Sequence, residues 1–166
     1  MQARTIAAIT VTLCTGLIGA TAQAAGPLTQ RNLSLDLGNR IAAAGVAACA
    51  AKGYAVTVAV VDRAGQVRSI QRADNAGPHT LAAAEQKAFT SASARNTTLA
   101  MMEMSQKNPG AANLGTIPGF LLLGGGVPVK AGNEVIGAVG IGGAPGGHLD
   151  EQCAMAALDS VKDDLK

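Results

Sequence analysis

Residues 115–147 read GTIPGFLLLGGGVPVKAGNEVIGAVGIGGAPGG, and this stretch governs how the rest of the chain is read. Glycine clusters alternate with short β-branched runs, and Lys130 and Glu134 are its only charged side chains. Such a composition suits strands and tight turns packed closely against a neighbour. It does not suit acid–base chemistry held on side chains. Residues 120–123 form a short apolar extended piece, 124–126 turn, 127–130 are briefly extended and 131–133 turn again. The last strand spans 134–142, with Val135, Gly137, Val139 and Ile141 on one face and Ile136, Ala138 and Gly140 on the other. Glycines inside a strand weaken it and mark close approach by a backbone or a ligand. The cluster Gly124–Gly126 lacks both the Lys-Ser/Thr of a phosphate loop and the G-x-G-x-x-G spacing that opens a helix. A nucleotide cradle is therefore not expected.

Upstream, residues 54–61 alternate as a strand, with Val56, Val58 and Val60 on one face. Asp62-Arg63-Ala64-Gly65 turns the chain, and 66–71 returns as the second arm of a hairpin. Thr29 is a candidate cap for a helix running to Lys52, and Gly53 terminates it by accepting a left-handed backbone. After the hairpin, Asp74-Asn75-Ala76-Gly77-Pro78 breaks the pattern. His79 or Thr80 then opens a helix to Arg95, with Ala83, Lys87 and Thr90 or Ser91 along one side. A short helix follows over 97–105, and 106–119 reads as a long loop of the kind that carries function or is mobile. A final helix covers 149–165. This order predicts an α+β domain over 25–166, a central antiparallel sheet of about five strands flanked by helices.

The first 24 residues read as a signal peptide: Arg4, an apolar stretch over 6–17, and the small-x-small site Ala22-Gln23-Ala24. The stretch is shorter than the ~20 apolar residues of a membrane span. The product is expected to be exported, periplasmic or extracellular, with no membrane span. Lys plus Arg number 13 and Asp plus Glu 11. No basic cluster exists, which argues against a nucleic-acid partner. Phe89, Phe120 and Tyr54 are the only aromatic rings, so the core must be built from Ala, Val, Leu and Ile. A small domain of this kind gains little burial per residue, and a homo-oligomer is expected. Cys49 and Cys153, each in a predicted helix, fit either one disulfide or two buried thiols.

The serines lack a G-x-S-x-G setting, and only two histidines are present. His79, at the mouth of a helix, is the candidate metal ligand. Neutral imidazole is a common axial haem ligand, and the helix dipole disfavours a positive ring there. The plainer alternative is an exposed turn histidine. Arg72 and Arg95 offer planar forks for ligand carboxylates such as haem propionates, although Arg95 at a helix end equally suits a solvated charge. His148 with Asp150 or Glu151 reads as a surface helix start, and Asp62 and Asp74 as turn formers. Met101, Met102 and Met104 read as adaptable packing, between subunits among other places.

The blocks Val58–Gln66 with Arg72-Ala73-Asp74, Lys87–Ala92, Gly125–Val129, Gly137–Ala144 and Asp150–Ala154 together resemble the GlcG/HbpS-like haem-binding family, in the family's order and over nearly the whole of 25–166. Gly143 stands where relatives often carry serine. The resemblance implies a profilin-like α+β fold assembled into an oligomer and possible haem binding; some relatives degrade haem or act as accessory proteins to extracellular sensors. The expectation is an exported haem-binding protein that holds haem in an apolar cleft, with His79, Arg72 and Arg95 as contacts, for sensing, storage or degradation. Two alternatives stand beside it. One is a non-enzymatic accessory module for another small molecule or a protein partner. The other is a cofactorless enzyme acting on a small metabolite.

Overall fold

The computed structural model describes residues 26–166; the signal peptide read over 1–24 lies outside the described residues. Four strands form one antiparallel sheet: β1 (Thr57–Asp62), β2 (Val67–Arg72), β3 (Gly126–Ala131) and β4 (Glu134–Gly142), in the order β2-β1-β4-β3. The hairpin β1–β2 closes as its residues dictate. Asp62 Oδ1 accepts from the amides of Ala64 at 2.9 Å and Gln66 at 3.0 Å, and Gly65 takes φ 76°. A second hairpin, β3–β4, returns so that β4 lies against β1, from Thr57 opposite Gly142 to Asp62 opposite Gly137. Pro128 is tolerated because β3 is an edge strand.

Helices cover both faces. On one, α1 (Leu35–Ala50) lies over β1 and β2 while α4 (Gly147–Ser160) lies over β3 and β4. Ile41, Val56, Val58, Val60, Val139 and Ile141 fill that layer. Cys49 of α1 and Cys153 of α4 are bonded, with Cα atoms 5.4 Å apart, so of the two readings left open by sequence the disulfide holds. On the other face α2 (Thr80–Ala94) crosses β4 and β1, and the layer is almost entirely small: Ala59, Val61, Ala84, Ala88, Ala92 and Ala138. A Cβ at Gly140 would run into the Ala84 carbonyl oxygen, and one at Gly126 into that of Lys87. These strand glycines therefore let a helix backbone lie directly on the sheet.

The sheet has four strands where about five were expected, because residues 120–123 do not pair. Their backbone is bonded instead by threonine hydroxyls. The Leu121 amide donates to Thr90 Oγ1 at 2.8 Å, and Thr98 Oγ1 both donates to the Leu123 carbonyl and accepts from the Gly126 amide. The Leu121 amide and the Leu123 carbonyl, which a neighbouring strand would have used, are thereby satisfied without one. Several boundaries also differ. Ser34, not Thr29, caps α1, accepting from Leu37 N at 3.2 Å, while buried Leu33 before it bonds to the Ile136 carbonyl and stays extended. After α3 (Thr98–Lys107), a 3-10 helix spans Pro109–Thr116 within the expected loop, capped by the Asn108 side chain on Gly110 N. The final helix stops at Ser160, and Lys162–Leu165 continues as a 3-10 turn.

Candidate functional site

The start of α2 is pinned from two sides. Thr80 Oγ1 donates to the Gly77 carbonyl at 2.6 Å, so the Thr57 hydroxyl, 2.7 Å away, donates to Thr80 in turn. Arg72, at the end of β2, folds its guanidinium back onto the Ala76 carbonyl and closes the turn over 73–77, in which Asn75 takes φ 65°. This leaves His79 exposed at the N-cap position, its ring packed against Gly77 and neither nitrogen bonded among the described residues. His79 borders a cavity of about 200 Å³ together with Ala83, Lys87, Leu123, the glycine-rich loop 142–147 and Asp150.

Two of those residues are buried charges. Lys87 is 1% exposed and Asp150 2%. Lys87 Nζ donates to Asp150 Oδ2 at 2.8 Å and to the Ile141 carbonyl at 2.9 Å, and Asp150 Oδ1 accepts from the Ala144 amide at 3.0 Å. The pair thereby fastens α2, the end of β4, the loop 142–147 and the start of α4 to one another. Burial pushes the Asp150 carboxyl above its ordinary range, against the pull of the Lys87 charge and of the Ala144 and Gly143 amides. An ammonium carries three N–H donors, and the third of Lys87 has no acceptor among the described residues. Gly125 makes room for the pair: a Cβ there would sit 2.7 Å from Asp150 Cβ and 3.1 Å from Lys87 Nζ.

This ion pair is what sequence reasoning missed, although a signal existed. Lys87 recurs at helical spacing with Ala83 and Thr90 or Ser91, a lysine on the side of the helix that carries small residues. Such a lysine needs a buried carboxylate, and Asp150 is the one that reaches it.

The three residues expected to hold a cofactor do not converge in one chain. His79 lies at the start of α2 and Arg72 at the end of β2, where it is already engaged with Ala76. Arg95 sits past the other end of α2 in the left-handed conformation, φ 55°. That is about 24 Å from His79 at 1.5 Å rise per residue. Arg95 lines instead a groove of about 540 Å³ with Arg31, Arg63 and the β3–β4 turn. His148 is exposed over Gly146, and Asp150 turns away from it to Lys87. Among the described residues no three His, Cys, Asp or Glu side chains gather as a metal site. Nor is any helix among them long and apolar enough to cross a membrane.

Comparison with known proteins adds the family. Residues 33–159 match the model of the family described as "Haem degrading protein HbpS-like". The GlcG protein of Escherichia coli K12 is 35% identical over 109 residues, covering 66% of this chain and 80% of GlcG. Among solved structures, a double mutant of HbpS from Streptomyces reticuli superposes with a TM-score of 0.78 at 35% identity, over 94% of this chain and 99% of that one. The ORFY protein of Klebsiella pneumoniae gives 0.77 at 28% identity, over 82% and 94%.

Proposed function

This chain belongs to the HbpS-like family, and from that premise we propose that it binds haem with the His79 ring as axial ligand. The observation that carries the reading is the setting of His79: an exposed imidazole at a helix N-terminus, with no hydrogen bond among the described residues, beside the 42% exposed Leu123 and a loop without charged side chains. A single protein ligand suffices for haem, because the macrocycle supplies the equatorial nitrogens. Pockets that enclose ligands of drug size run to about 300–1,000 Å³, so a cavity of about 200 Å³ does not enclose haem. His79 borders that cavity and would hold the group at its edge rather than inside it. Arg72 is the propionate partner of this reading, exchanging its bond to Ala76. Bound haem supplies the iron chemistry for sensing, storage or degradation, tuned by the polarity and access of its surroundings.

The profilin-like class and the homo-oligomer belong to the same proposal. Exposed Leu81, Met104 and Leu123 support self-association, and a monomeric mass by light scattering at working concentrations would count against it. Export is supported by the Cys49–Cys153 bond, since disulfides persist in oxidising compartments. N-terminal sequencing of the exported fraction should find Ala25 first. For haem itself, titrating hemin into the purified protein should give a saturable Soret shift that His79→Ala abolishes. Free-hemin spectra at every ratio would sink the reading.

The cavity beside the Lys87–Asp150 pair favours one second reading, an accessory module for a small polar molecule whose acceptor atom completes the Lys87 ammonium. Native mass spectrometry of freshly purified protein separates the two by the mass that accompanies the chain. The cofactorless-enzyme alternative finds less support, because Lys87 and Asp150 are committed to each other.

A further inference from the structure

The groove at the far end of α2 has no part in the haem reading. Three arginines from three separate segments border it: Arg31 ahead of α1, Arg63 in the β1–β2 turn and Arg95 after α2, together with Asn133 of the β3–β4 turn and Glu134 at the start of β4. Two are held in place by structural bonds. Arg31 donates to the Ala131 carbonyl at 3.3 Å and to the Lys166 backbone oxygen at 2.9 Å. Arg63 donates to the Arg31 carbonyl at 2.9 Å and pairs with Glu134. Both Arg63 side-chain bonds use Nη1, and its remaining N–H groups have no acceptor among the described residues. Arg95 makes no side-chain hydrogen bond among the described residues, and its five donors are free.

Among the described residues Glu134 is the one carboxylate side chain lining the groove, beside three arginines. Arg95 is held in a left-handed conformation that a residue with a Cβ adopts at a cost. The helix dipole favours a cation at that end of α2, but this accounts for one arginine and not for three around one groove. Guanidinium forks match the paired oxygens of carboxylate and phosphate.

We propose that this groove is a second ligand site, which takes a compact oxyanion, a small dicarboxylate or a phosphate, between Arg63, Arg95 and the turn at Gly132-Asn133. Arg31 and Arg63 form its preorganised wall, and Arg95 closes on the anion. The site lies about 24 Å from His79 along the axis of α2, so its ligand and haem do not compete.

The test is a titration of the folded ¹⁵N-labelled protein with succinate and, separately, inorganic phosphate, at ionic strength held constant with chloride. Saturating amide shifts at Arg63, Arg95, Gly132 and Asn133 are expected for at least one anion, and the stronger of the two identifies the ligand class. Arg95→Gly keeps the backbone conformation, which glycine accepts, and should weaken binding at least tenfold. Shifts that rise linearly for both anions would overturn the proposal, because they report screening alone. Saturation centred on other residues, or unchanged affinity in Arg95→Gly, would overturn it too. Neither outcome bears on the hemin titration.

Discussion

The two faces of the sheet are built on opposite principles from the same four strands. Under α1 and α4, branched side chains interdigitate and a disulfide locks the layer from above. Under α2, alanine and glycine bring two backbones almost into contact, and the one long side chain, Lys87, passes inward to a buried carboxylate. The first face is held by area, at about 25 cal/mol per Å² of apolar surface buried. The second is held by fit and by one ion pair. The difference shows where the chain tolerates change, and the cavity beside His79 lies on the intolerant side.

The largest expected effect breaks the α2 face at its charge. Lys87→Ala strands the Asp150 carboxyl without its partner, and chemical denaturation should show a loss of about 3–5 kcal/mol. Lys87→Met combined with Asp150→Leu removes both charges and should recover most of it. If the double variant is no better than the single, the pair acts through packing rather than charge. Next comes the lock on the opposite face: Cys49→Ala with Cys153→Ala should cost about 2–4 kcal/mol, read the same way.

Two adjacent residues of β4 then compare the faces directly. Gly140→Ala adds one methyl against the Ala84 carbonyl and should cost about 1–3 kcal/mol. Ile141→Val removes one methyl from the other layer and should cost about 0.5–1.5 kcal/mol. Equal losses would mean that α2 shifts easily on the sheet. The smallest effect is a slope in pH. Because burial raises the folded Asp150 value above the unfolded one, the native state holds an extra proton between the ordinary carboxyl range and that raised value. Stability from this group is therefore full below the ordinary range and declines as pH rises through the window. Denaturation midpoints across that window should show the decline in the native sequence and lose it in Asp150→Asn.

The β1–β2 hairpin was legible in the sequence because its turn chemistry and its alternation agree. The glycines of β4 were legible as close-approach positions, and the structure identifies the partner of Gly140 as the α2 backbone and that of Gly137 as the Val61 carbonyl of β1. The strand count was not legible. Residues 120–123 look like a strand by composition, and only the fold reveals that Thr90 and Thr98 hydroxyls take the bonds a neighbour would have taken. The ion pair escaped for a related reason: a lysine is assigned to solvent unless a carboxylate 63 positions away is known to meet it. The separation of Arg95 from His79, by contrast, follows from helix length alone, since both flank one 15-residue helix. Sharing a helix placed them at its two ends rather than in one site.

The Cys49–Cys153 bond spans 104 positions, and this makes most of the domain a closed covalent ring. All four strands, α2, α3, His79, the buried ion pair, Arg63 and Arg95 lie on the ring, while most of α1 and the end of α4 hang outside it as tails. A single cut within the largely exposed segment 109–119 therefore releases nothing. The nicked molecule keeps its mass on a non-reducing gel and falls into two pieces there only when a thiol is added.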